Sequence, residues 1–286
     1  MSEFTDPTRA TSPRLKRRTF VGMGATSVAF GASIAAALAA GEGFGSPHPP
    51  IVAEDDPTLT AAATTLTHED RTLDAYGAVP RDAASTKGGV VVVQAIWGID
   101  AQLRDVVRRF AKAGYATIAP DLYAGMGAPS ADGAADYTVF RTFAGQLVAA
   151  TVTADLLAGR DWVKSHNAAK AGITGFCMGG GIALRQAVAN PNYDAAAIWY
   201  GDVGPVMGDA GDISLPLLGS YGGRDTSIPA EDVRNFESAL SDKHDIKIYD
   251  DAGHAFFDDT RSSYVASAAA DAWTRTLAWF AKYLHG

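Results

Sequence analysis

The chain has 286 residues, 47% of them apolar and 20% charged, with a formal net charge of −8. That is the composition of an ordinary soluble globular protein, long enough for one large domain or two small ones. Its single cysteine excludes an intrachain disulfide, and the six scattered histidines form no HxxxH pair, so no structural metal is expected.

The charge is unevenly spread. The first 40 residues carry five Arg/Lys against two acidic residues, which leaves 19 basic and 30 acidic residues in the rest. An acidic body of that kind has no electrostatic footprint for nucleic acid. The basic start ends in Arg17-Arg18-Thr19-Phe20, followed by an Ala/Gly-rich apolar run to Ala40. This resembles a twin-arginine export signal, with Ala37 and Ala39 as the small residues of a cleavage site. Residues 1–40 are therefore expected to be a signal peptide read by the twin-arginine machinery, leaving no stable membrane span and a periplasmic or secreted product. No cysteine follows the apolar run, which excludes a lipoprotein anchor. Residues 41–63, rich in Gly, Pro and small side chains, are expected to be a flexible lead-in, and the folded body (64–286) should start near Thr64.

From there the pattern alternates. "GGVVVVQAIWG" (88–98) reads as a strand buried on both faces. Asp100 can cap a following helix with Leu103, Val106, Val107 and Phe110 on one face and Gly114 closing it. "YATIAPDLY" (115–123) is the next strand, and one long helix is expected over 137–165. Strands then follow at 171–176, 196–201, 215–223 and 245–250, with helices from Met178 and over 230–241. A terminal amphipathic helix carries Trp273, Leu277, Phe280 and Leu284 at core spacing. Strands alternating with helices imply a single α/β domain, a mostly parallel sheet with helices on both faces.

The lone cysteine, Cys177, lies in "GITGFCMGGGIALRQA", between an apolar strand and a helix. A single cysteine is commonly inert core filling. Here Gly175 and Gly179 flank it at minus two and plus two, the G-x-S-x-G nucleophile elbow with sulfur in place of oxygen. A side chain at either glycine would collide with neighbouring elements in so tight a turn, and the helix N-terminus behind the sulfur favours a thiolate. A phosphate-binding loop would need the lysine and the Ser/Thr that are missing here. A nucleophile needs a base and a group to orient it. Asp225 in "SYGGRDTSIP" and His254 in "YDDAGHAFF" follow at strand ends, in the chain order nucleophile, acid, histidine. The expected triad is Cys177, His254 and Asp225, with the Met178 N–H as an oxyanion donor.

These stretches, together with "VVVQAIWGIDAQLRD", "GYATIAPDLYAG", "WYG" and "GHAFFDDTR", resemble the dienelactone hydrolases of the α/β-hydrolase fold, from about Leu66 to the C-terminus. The resemblance implies a single-domain, metal- and cofactor-free hydrolase of small esters or lactones working through a thioester. It puts nucleophile, acid and base on Cys177, Asp225 and His254, and adds the Ile96 N–H as second oxyanion donor. Trp97, Tyr123 and Tyr200, within those motifs, become candidates for substrate contact. Two positions depart from the family pattern. Ala95 stands where a glutamate usually follows the glutamine, so His254 alone would have to generate the thiolate. Asp258 stands where an arginine usually follows the histidine by four, which leaves Arg261 and Arg141 as candidates to meet a substrate carboxylate. The alternative function is a catalytically degenerate α/β-hydrolase that binds a small molecule or partner, supported by Ala95. An exported redox-responsive thiol is a third reading, and it lacks a resolving cysteine.

Overall fold

The computed structural model describes residues 50–285 apart from 69–70, 131, 133–135, 190–191 and 242. The expected signal segment lies outside the described residues. In chain order the elements are β1 (Leu59–His68), β2 (Arg71–Pro80), β3 (Gly88–Val93), α1 (Ala101–Lys112), β4 (Tyr115–Pro120), α2 (Tyr137–Ala144), α3 (Ala149–Ser165), β5 (Ala171–Phe176), α4 (Met178–Ala189), β6 (Ala195–Trp199), β7 (Leu217–Gly222), α5 (Ala230–Ala239), β8 (His244–Tyr249) and α6 (Ala266–Leu284).

The strands form one sheet in the order β1-β2-β4-β3-β5-β6-β7-β8, parallel from β4 to β8 and antiparallel at β1 and β2. Its central strands are apolar throughout because both faces are covered. Val90 and Val92 of β3 join Phe110 of α1 and Phe280 of α6 in one layer. Val91 and Val93 join Leu156 of α3, Ile182 of α4 and Phe236 of α5 in the other. The single α/β domain expected from the alternating pattern is observed.

Three details differ from the sequence reading. The helix expected over 137–165 is two helices: Gly145 caps α2 by donating its N–H to Arg141 O at 3.0 Å, and the chain turns before α3. The antiparallel pair β1–β2 was not anticipated, because "LTAAATTLTH" is too weakly apolar to announce a strand; its ladder to β2, from Leu59↔Pro80 to His68↔Arg71, holds it. The body also begins before Thr64. The Ile51 and Val52 N–H groups each donate to the Asp105 carboxylate at 2.9 Å, and Arg108 Nε donates to Val52 O at 2.8 Å. The end of the supposed lead-in is thus pinned to α1 by a buried acid and a buried arginine.

The junction from β5 to α4 is the tightest in the molecule's centre. A Cβ on Gly175 would lie 2.2 Å from Gly179 O, and one on Gly179 would lie 2.3 Å from Val93 O. Gly180 and Gly201 meet in the same way, a Cβ on Gly201 falling 2.4 Å from the Gly180 carbonyl carbon. One residue further on, a Cβ on Gly181 would make ordinary contact at 3.6 Å. Gly181→Ala should therefore fold and gain about 0.5–1 kcal/mol of stability from helix propensity. Gly179→Ala should give no cooperative unfolding transition under native conditions. Thermal melts of the two proteins check this, and equal stability would show that the elbow tolerates a side chain.

Candidate active site

Cys177 sits between β5 and α4 with φ 53°, a left-handed conformation that costs a non-glycine residue energy. Its N–H donates to Trp199 O at 3.1 Å and its carbonyl accepts from Gly181 N–H at 3.2 Å, so strand β6 and helix α4 both hold the turn. The side chain is buried yet lines a cavity at the C-terminal ends of the parallel strands. That edge is where open α/β sheets present their ligand sites.

His254 follows β8 and lines the same cavity. Its Nδ1 lies 2.7 Å from Asp225 Oδ2, and both side chains are 1% exposed. The other oxygen of Asp225 accepts from the N–H groups of Ser227 at 2.8 Å and Ile228 at 3.1 Å. The carboxylate is thereby fixed as an acceptor, which sets Nδ1 as the protonated nitrogen and leaves Nε2 for chemistry. Burial alone would lower the imidazole pKa, but the Cys177 sulfur and then the Asp225 hydrogen bond outweigh it, and the ring stands well above its ordinary 6.5. The raised proton affinity of the histidine beside the sulfur suits an ion pair.

Behind the cavity, the Tyr123 hydroxyl donates to Ile96 O at 2.8 Å and lies 3.6 Å from Met178 Sδ. One side chain therefore ties together the two segments whose N–H groups are the candidate oxyanion donors. Met178 is the first residue of α4, so its N–H has no acceptor within the helix. Ala95 lines the same cavity, so its wall at position 95 is a methyl group.

The match to protein families agrees with this geometry: residues 73–284 fit the "Dienelactone hydrolase family". The chain belongs to the dienelactone hydrolase family. A relative in Escherichia coli, named "Putative carboxymethylenebutenolidase", is 38% identical over 254 residues, 82% of this chain and 91% of that protein. A relative of the same name in Salmonella typhimurium is 37% identical over 256 residues, covering 82% and 92%. Among solved structures, the "Putative Dienelactone Hydrolase" of Klebsiella pneumoniae has a TM-score of 0.72 and 36% identity, over 79% of this chain and 99% of that one. The protein is a hydrolase with the α/β-hydrolase fold of this family.

In this chain Cys177, His254, Trp97, Tyr200 and Arg261 meet at one cavity, and Asp225 stands behind the histidine. Two candidates for substrate contact are elsewhere. Tyr123 is in the second layer, its hydroxyl spent on Ile96, and Arg141 is exposed on the last turn of α2 without lining the cavity. The sequence reading overlooked Gln102, Phe176 and Ala255 as lining residues. Phe176 was marked by its place directly before Cys177; Gln102 and Ala255 carried no signal beyond adjacency to the Asp100 cap and His254.

Asp100 caps α1, its carboxylate accepting from Leu103 N–H at 2.8 Å. Burial, and after it the charge of Asp258, pushes its pKa from 3.8 up to about 7. The folded protein then keeps a proton that the unfolded chain has released, so this group's contribution to stability falls as pH rises from about 4 to about 7. Asp100→Asn keeps a capping side chain and removes the charge. Its melting temperature relative to the parent should rise progressively between about pH 4 and pH 7 and level off above, a window set by those two pKa values. A difference independent of pH would show that the carboxyl is not perturbed.

Proposed function

We propose that the protein hydrolyses small esters or lactones with Cys177 as nucleophile, His254 as acid–base group and Asp225 as the group that orients it. The observation that carries this reading is the strained, cavity-lining Cys177 beside a histidine whose far nitrogen is locked by a fully engaged aspartate. The thiolate attacks the acyl carbon, and the oxyanion is held by the N–H groups of Ile96 and Met178. Such donors typically contribute about 10²–10³ in rate each. The tetrahedral adduct collapses to a thioester while the leaving alcohol takes a proton from His254 Nε2. A water then gives its proton to the same nitrogen and attacks the thioester, and the acid leaves with Cys177 restored.

Ala95 does not remove the base from this scheme. The raised proton affinity of His254, drawn from the Cys177 sulfur and Asp225, supports formation of the ion pair without a carboxylate at position 95. A purely ligand-binding role accounts for neither the locked tautomer nor the strained cysteine. Cys177→Ala and His254→Ala should abolish hydrolysis of small aryl esters while leaving the thermal transition cooperative. Asp225→Asn should lower kcat by about 10⁴ without abolishing it. Full turnover by the Cys177→Ala protein would falsify the mechanism.

We further propose that the precursor is exported by the twin-arginine route to the periplasm or medium. Support comes from the sequence alone, Arg17-Arg18-Thr19-Phe20 ahead of a weakly apolar run. Cleavage after Ala39 would spare the contacts of Ile51 and Val52 with Asp105. Replacing both arginines with lysine should leave the precursor in the cytoplasm in a fractionation experiment. Undiminished export of that double variant would defeat the assignment.

A further inference from the structure

The wall of the cavity holds a charge pair that the proposed chemistry does not use. Asp258 and Arg261 both line the cavity, with Arg261 Nε donating to Asp258 Oδ2 at 2.7 Å and the arginine side chain only 2% exposed. Asp258 cannot swing aside readily, because its other oxygen accepts from Thr260 N–H at 3.0 Å and from the Thr260 hydroxyl at 2.6 Å. On its other side the guanidinium lies 4.2 Å from the centre of the Trp97 ring. That ring is itself fixed edge-on by Tyr137 at 5.9 Å and Phe140 at 5.6 Å. The arginine is thus clamped between a carboxylate and an indole.

Among the described residues, Arg261 is the only arginine, and no lysine stands beside it, in the cavity lining. Its charge is matched by Asp258. Besides the Cys177–His254 couple, the remaining wall is aromatic, aliphatic or, at Gln102, an uncharged amide. A carboxylate entering this space would lose its hydration and find the guanidinium of the wall already paired with Asp258. The neighbouring ionisable groups register the same balance: for Asp100 and for Tyr200 alike, Asp258 disfavours the anion more than Arg261 favours it.

We propose that the site is built for uncharged esters and lactones, and that Asp258, by balancing the charge of Arg261, is the residue that turns carboxylate-bearing substrates away. The substrate half of this statement rests on the hydrolase reading above; the charge preference of the cavity does not. Two measurements separate them. The first is the rate of Cys177 alkylation by iodoacetamide, uncharged, and by iodoacetate, anionic and of similar size, each divided by the rate for free cysteine. The parent protein should favour the uncharged reagent by about tenfold or more, the factor that a modest repulsion gives. Asp258→Asn should shrink that preference at least threefold, roughly half of it on the same logarithmic scale. Asp258→Glu should retain it, and Arg261→Gln should enlarge it. The second is the kcat/KM ratio for methyl 4-acetoxybenzoate over 4-acetoxybenzoate, normalised to hydroxide hydrolysis, which should move in the same directions.

A normalised alkylation ratio near one in the parent protein overturns the proposal, as does a ratio that Asp258→Asn leaves in place. If that variant does not fold, the parent ratio and the Asp258→Glu and Arg261→Gln proteins still decide the matter. Equal turnover of the two esters sinks the substrate preference and leaves the hydrolase intact. Failure to turn over either ester, with the alkylation preference present, removes the hydrolase reading and leaves the charge preference standing.

Discussion

Everything at the site depends on how closely β5, α4 and β6 can approach one another. Gly175 faces Gly179 across the turn, and Gly180 faces Gly201 just past the neighbouring strand β6, at separations that no Cβ could share. Backbone therefore packs directly on backbone, and Cys177, between Gly175 and Gly179, is forced to φ 53° with its side chain directed into the cavity. The cost of that conformation is of order 1–3 kcal/mol and is borne by the surrounding sheet. The same close packing brings the N-terminus of α4 under the sulfur, so one constraint fixes both the position and the electrostatic setting of Cys177.

Two other strand ends show the same signature. Tyr200 follows β6 with φ 39°, and Ala255 follows His254 with φ 57°. All three left-handed residues line the cavity, while the fourth non-glycine case, Asn167, lies away from it. Tyr200 packs edge-on against His254 at 5.2 Å, so the strained turn after β6 also supports the imidazole that follows β8. Strain is concentrated where three chain segments must stop extending and aim side chains at one point, as expected of a site assembled on rigid elements.

The parts legible in the sequence are those whose local pattern has one physical meaning. Four consecutive valines bounded by glycines can only be comfortable in a strand covered on both faces, and the glycines at 175 and 179 only make sense in a turn tight against its neighbours. The ion pair of His254 with Asp225 was readable from order and strand-end placement. What was hidden depends on partners distant in sequence. The Ala/Thr segment of β1 becomes a strand through its ladder with β2, and Ile51 and Val52 are ordered by an acid more than fifty residues away. Tyr123 looked like a substrate contact because its motif sits at a strand end; only the fold reveals that its hydroxyl is taken by Ile96.

The two departures from the family pattern, Ala95 and Asp258, belong together on electrostatic grounds. A carboxylate at position 95 would be a second anion beside the Cys177 sulfur, tolerable in a buried site only with a cation free to receive it. Arg261 is the cation at hand, and Asp258 already holds it at 2.7 Å. With Asp258 in place, a glutamate at 95 would be uncompensated; with alanine there, the charges left in the wall close as a pair and the sulfur answers to His254 alone. The cavity then contains two matched pairs, thiol with imidazole and aspartate with arginine, and no surplus charge between them. On the proposed reading, alanine at 95 and the Asp258–Arg261 pair favour the same thing, an uncharged acyl group next to the sulfur.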